Sequence, residues 1–337
     1  MLLYLFLFVG VFLVQNVSGQ QQIDFQASFD GILDNREYNN SVTTDQTIFG
    51  GRLRTTLGFT RNQSYQLRVG ASYFQELGAS PDLNDPNLLL YYKFSGPHAL
   101  FYMGSFPRDE TLSYPLALFS DSTGYFRPNL QGAYFRVFND YFTQDVWVDW
   151  VSRRTDDDPE HFLFGFSGSA RYNQLFFDHH FKMFHMVGPA VRERGTGVID
   201  NGGAMASIGY KQNGMRYIDT LMFSTGYLVT LDRLRRDGSS WNTPGGIIAQ
   251  GKISAFNLGL KATAYKGEGN NQLFSDPFYE APSYGRIDLS YGRTVADGTV
   301  DFRYTQGVHL IENGVDLSNM FLLTMRFNHT LFDSREK

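Results

Sequence analysis

Residues 320–332 read Met-Phe-Leu-Leu-Thr-Met-Arg-Phe-Asn-His-Thr-Leu-Phe and constrain this chain more than any other stretch. On a strand, Phe321, Leu323, Met325, Phe327, His329 and Leu331 share one face, while Thr324, Arg326, Asn328 and Thr330 share the other. A soluble sandwich turns the oily face of such a strand inward. An outer-membrane barrel turns it toward lipid and lines a lumen with the polar face. How the unit repeats separates the two readings. Segments of the same period recur along the chain, and the connections between them alternate long and short: 34–46 long, 60–64 short, 75–86 long, 95–98 short, 107–129 long, 139–142 short, and onward to a tight 295–298 and a connection at 311–319. Bacterial barrels have short turns at one end and long loops at the other, whereas a sandwich has no reason to gather its long loops at one end. The expected fold is therefore all-β: a transmembrane antiparallel β-barrel of about 16 strands, with roughly 14–18 as the bracket.

The first residues are set aside before that barrel is counted. An apolar run from Leu2 to Val14, then Val17-Ser18-Gly19, reads as a signal peptide over 1–19, cut before Gln20. The run is too short for a transmembrane helix, which needs about 20 residues. Residues 20–337 then form a single barrel domain. The net charge of -5 argues against nucleic acid, which calls for basic patches. With Cys 0, disulfides, thiolate metal sites and a lipid-anchored cysteine are all excluded. Aromatic residues reach 16%, as expected where interfacial girdles flank an apolar band.

If apolar positions face lipid, the phase of each strand assigns the lumen. Arg52, Arg54, Arg68, Lys93, Arg136, Lys261, Arg286, Arg303 and Arg326 fall inward, with Asp24, Asp30, Asp149, Asp288 and Asp301. Charges on the lipid face cost about 2–4 kcal/mol near the midplane, so this phase carries information. Acidic and basic walls facing each other across water filter polar solutes. Trp147 and Asp149 share the inward face, a pair suited to stacking on a sugar ring and accepting its hydroxyls; a girdle tryptophan beside an unrelated aspartate is the plainer reading. The connection 107–129 is apolar for an exposed loop, with Leu112, Tyr114, Leu116, Leu118, Phe119, Tyr125 and Phe126. Such residues expect a wall to pack on, which predicts an inward constriction carrying Asp109, Glu110, Tyr114 and Asp121. Asp178, His179, His180 and His185 suggest a metal, yet only Asp178 and His180 project together, too few ligands for a tight site. A barrel hydrolase needs a nucleophile and a base together at the lipid boundary. His309 and many serines are present, but no motif pairs them, so a barrel without catalytic activity is the expectation.

The stretches Asp30-Gly31-Ile32-Leu33-Asp34-Asn35-Arg36-Glu37, Gly104-Ser105-Phe106-Pro107-Arg108, Tyr114-Pro115-Leu116-Ala117-Leu118 and Trp147-Val148-Asp149-Trp150 resemble the porin-like outer-membrane barrels of Bacteroidetes. The resemblance implies the outer membrane of a Gram-negative bacterium and a pore, and carries over no substrate. The loop after the fifth strand also resembles, in position and length, the inward loop of general porins. Together these readings give a porin passing small hydrophilic solutes, in contact with outer-membrane lipid, using no cofactor and no metal, and free to form a homo-oligomer. A closed barrel that binds a partner through its external loops is the alternative.

Overall fold

The structure, a computed structural model, describes residues 19–40, 42–79, 86–191, 197–235, 239–312 and 314–336. Sixteen antiparallel strands close into one barrel, each bonded to its sequence neighbours. They are β1 (Gln21–Glu37), β2 (Gln46–Arg61), β3 (Tyr65–Glu76), β4 (Asn87–Ser95), β5 (Ala99–Pro107), β6 (Asn129–Phe138), β7 (Phe142–Ser152) and β8 (Glu160–Tyr172), then β9 (Leu175–Val187), β10 (Val198–Asn213), β11 (Thr220–Arg235), β12 (Gly245–Ala255), β13 (Leu258–Gly267), β14 (Ser283–Val295), β15 (Val300–Ile311) and β16 (Gly314–Asp333). Residues 320–332 help close the ring: β16 pairs with β1 from Asp333 opposite Gln22 to Leu317 opposite Glu37. The expected signal segment lies outside the described residues, apart from Gly19.

Both ends of the barrel follow from local chemistry. At the end that holds the termini, Phe256 and Asn257 join β12 to β13 with φ of 51° and 68°. Two residues at positive φ make the hairpin turn whose twist matches the flanking strands. At the other end, one expectation is corrected. Residues 311–319 are no long connection, because β15 runs to Ile311 and β16 begins at Gly314. Val315 and Leu317 point outward while Asp316 and Ser318 are buried inside, so the two-residue alternation starts well before Met320.

The outward faces of the strands carry Leu53, Leu67, Leu88, Met103, Val146 and Phe223, all exposed. An apolar surface wrapped around a whole molecule is stable against lipid and not against water. Among the described residues no helix is long and apolar enough to cross a membrane, so the strands do the crossing.

The inner wall is divided. Toward the termini its inward positions are charged or polar: Asp24, Arg68, Lys93, Asp145 and Lys261. Toward the long loops many are apolar and buried, Ile32, Ile48, Leu89, Leu130, Leu163, Leu228 and Ile248, with buried charges such as Asp34, Asp149 and Lys182 among them. An inward apolar residue needs something apolar inside the barrel to cover it, and two connections supply that.

Candidate functional site: a lumen filled by two inward loops

The first loop, 108–128, leaves β5 through a short 3-10 turn, Arg108–Glu110, and returns to β6 through helix α1 (Asp121–Phe126). The second, 268–282, links β13 to β14 and contains a 3-10 turn, Pro277–Glu280, whose start is capped by the Asp276 side chain accepting from Phe278 N at 3.1 Å. The loops bind each other through their backbones: Ser120 N donates to Phe274 O at 2.8 Å and Asp276 N to Leu116 O at 2.9 Å.

Their apolar side chains then meet the wall on three sides. Ala117, Leu118, Phe278 and Tyr279 pack on Met205, Leu228, Ile248, Tyr265 and Tyr284. Leu112, Tyr114, Phe119 and Phe274 pack on Tyr134, Trp147, Leu163 and Phe184. Tyr125 of α1 packs with Ile32, Ile48 and Phe74. The wall makes room where a loop presses closest. A Cβ on Gly203 would sit 1.9 Å from Gln272 Nε2, so the Gln272 amide takes the space that a side chain there would fill.

The basic residues assigned inward by strand phase lie on inward rungs, and several tie down the loops rather than line free space. Arg52 donates to Tyr125 O and to Gly124 O, and Arg54 reaches Asp109 at 3.3 Å. Asp149 is buried against Arg108, with Arg127 at 3.8 Å. Trp147 donates its indole N–H to Tyr114 Oη at 2.8 Å, and Tyr114 Oη lies 2.9 Å from Phe181 O. Trp147 and Asp149 are thus both covered by the loop, and neither offers a face to a sugar in this arrangement. Arg286 pairs with Asp288 at 2.7 Å and faces Asp276 at 3.6 Å.

Nearer the termini the inward charges pair between strands, Arg68 of β3 reaching Asp24 of β1 past Gly58 of β2. Arg68 meets Asp24 at 2.9 Å and Arg136 meets Asp145 at 2.7 Å. Lys93 sits over the Tyr102 ring at 5.1 Å. Asp301 lies 3.7 Å from Arg303, and Arg326 is exposed on the same lower wall.

Sequence reasoning missed Lys182 and the whole second loop. Lys182, fully buried on β9, donates to Leu273 O and lies over the rings of Phe119 at 4.8 Å and Phe274 at 5.9 Å, binding both loops at once. Phe274, Phe278 and Tyr279 carried the same signal as the first loop, apolar side chains in a long connection.

The loops also hold acids away from bulk water. Burial pushes Asp276 up to about 6, with Arg286 opposing the shift. Asp121 and Glu110 are likewise raised by burial. His309 and a serine do meet, with His309 Nε2 3.0 Å from Ser318 Oγ and His309 Nδ1 2.8 Å from Tyr284 Oη. Phe278 stacks on the His309 ring at 4.2 Å, however, and closes that pair to lipid and solvent alike.

Residues 15–335 match the family described as lipid A 3'-O-deacylase-type. The chain belongs to that family. The match overturns the expectation of a barrel without catalytic activity, because the family is named for an enzyme. It also gives no support to a Bacteroidetes porin family as such. No curated protein matches the sequence. Among solved structures, the fold is similar to OpdL of Pseudomonas aeruginosa (TM-score 0.56, 12% identity, 93% of this chain and 99% of that one). It is similar as well to the loop L8 deletion mutant of OmpT, an outer membrane protein of Vibrio cholerae (TM-score 0.57, 10% identity, 91% and 99%). OpdK, an outer membrane protein of P. aeruginosa, aligns with TM-score 0.53 at 10% identity over 91% and 99%. At such identities the likeness is one of fold: a closed antiparallel barrel of the kind found in those outer-membrane proteins.

Proposed function

We propose that the protein is an outer-membrane channel for small polar solutes whose width is set by the two inward loops. The observation that carries this reading is the loop 108–128, held inside a barrel of 16 strands and anchored to the charged wall through Arg52, Arg54 and Asp149. A barrel of that size without an insert encloses water, so the insert decides what passes. Below the loops the paired charges of the lower wall give polar solutes a hydrated, selective vestibule. The purified protein in a planar bilayer should conduct, and liposomes containing it should swell in small sugars or amino acids. A folded barrel that neither conducts nor swells liposomes would remove this reading.

The family match supports a second reading, hydrolysis of a lipid acyl ester, and one pair of side chains favours it. On the outer wall His185 Nδ1 lies 2.7 Å from Asp200 Oδ1. An aspartate that fixes one imidazole nitrogen leaves the other to take a proton from water attacking an ester carbonyl, after which the alcohol leaves. Release of fatty acid from lipid A, abolished by His185→Ala in a protein that still folds, would support it. No release by the wild-type protein would end it.

A further inference from the structure

The outer wall of the barrel has one rung that breaks its apolar character. Register places Trp150 opposite Phe162, Phe162 opposite His185, His185 opposite Asp200, and Asp200 opposite Arg233, in a line across β7 to β11. The next rung toward the barrel middle is Val148, Phe164, Met183, Gly202 and Leu231, all apolar. The polar row is therefore the first rung above the hydrocarbon. Its Trp150 and Phe162 rings, stacked at 5.3 Å, are the aromatic pair expected at that boundary.

Among the described residues, charge on this rung is not balanced. One carboxylate, Asp200, accepts from Arg233 Nη2 at 2.9 Å, Arg235 Nε at 2.6 Å and the ring of His185. Two guanidiniums against one carboxylate leave a net positive charge. Arg233 Nε is buried with no acceptor, and half of the Arg235 side chain is exposed. The Trp241 ring lies 4.2 Å from the Arg233 guanidinium and fixes its plane. The acid on the neighbouring rung, Glu160, lies three strands from Arg235, roughly 14 Å at about 4.8 Å per strand, too far to neutralise it.

We propose that this rung, with Arg235 and Trp241 at its upper edge, seats the phosphate-bearing headgroup of a lipid in the leaflet on the long-loop side. Asp200 holds the two guanidiniums side by side in a fork that suits phosphate oxygens. The Trp241 ring flanks them, and the acyl chains run down over the apolar rung below. The inference rests on the outer-membrane placement, is independent of conduction, and shares His185 and Asp200 with the hydrolysis reading without requiring catalysis.

The full-length protein in detergent, titrated with phosphatidic acid or phosphatidylcholine and read by native mass spectrometry, tests it. Phosphatidic acid should bind about tenfold more tightly than phosphatidylcholine, the scale of one well-made charged contact. Arg233→Gln with Arg235→Gln should bring the two lipids to parity while heat-shifted gel migration shows an intact barrel. Should that double variant fail to fold, Trp241→Ala should narrow the preference by a few-fold instead. Inorganic phosphate at the lipid concentration should leave the bound lipid in place. Equal binding of both lipids by the wild type, an unchanged preference in every folded variant, or displacement by inorganic phosphate alone would each overturn the proposal.

Discussion

The two halves of the inner wall are built from the same strands, yet they are held by different forces. Along β1 an inward residue near the termini is Asp24, whereas near the loops Ile32 joins the apolar core with the Asp34–Arg36 pair beyond it; along β3 the two are Arg68 and Phe74. The loop half is a dry core, made when 108–128 and 268–282 bring Leu118, Phe119, Phe274 and Phe278 against the wall. The terminal half is tied together by ion pairs between strands, the Arg68–Asp24 pair buried and Arg136–Asp145 partly exposed. Strand pairing alone closes the barrel, whereas the loops rely on the wall to stay docked. Changes in the dry half should therefore move the plug and leave the barrel. Changes in the charged half should move selectivity and local strand stability.

The largest effect is expected from placing a charge in the dry half. Leu118→Asp buries an unpaired carboxylate, which undocks the loops outright. Limited proteolysis should then cut within 108–128 while gel migration still reports a closed barrel; protection equal to wild type would blur the two halves into one. Phe278→Ala, which also uncovers His309, should weaken loop docking by about 3–5 kcal/mol through the cavity it leaves. Hydrogen exchange at the amides of 268–282 should rise, with β1 and β16 unaffected. In the other half, Asp24→Ala strands Arg68 without its partner and should destabilise the barrel by about 3–5 kcal/mol in a denaturation series, with the loops still protected.

A smaller effect is pH-dependent. A carboxyl whose pKa is raised on docking holds its proton more tightly docked than free. Asp276, facing Arg286, Asp121 and Arg36, therefore favours the docked loops fully below its usual value near 3.8, and loses that contribution as pH rises through about 6. Conductance should be lower at pH 4 than at pH 7.5, and Asp276→Asn should flatten the difference at the low level. The smallest change is Arg54→Ala. Its pair with the mostly exposed Asp109 is worth no more than about 1 kcal/mol, but loss of an inward positive charge should shift ion selectivity measurably toward cations.

The barrel itself was legible because lipid imposes strict alternation on each strand, and 320–332 showed it in one reading. The inward loop 108–128 was legible too, since Leu112, Tyr114 and Phe119 have no place in a solvated loop. The plug's second half was not read, although Phe274 and Phe278 carried the same signal. The dry upper wall was hidden for a physical reason. Leu89 lies within Leu88-Leu89-Leu90 and Ile248 follows Ile247, so inward apolar residues appear only as breaks in the alternation, and a break does not say what covers it. The row His185–Asp200–Arg233 was invisible because its members sit on three strands and meet only once register is known.

In the proposed channel the loops, not the barrel, set the width of the passage. Single-channel recording of a variant in which residues 109–127 are replaced by a short Gly/Ser linker tests it most directly. Conductance several-fold above wild type with weakened ion selectivity, in a barrel that still shows heat-shifted migration, is the predicted result. Conductance and selectivity unchanged in that folded variant would contradict the account.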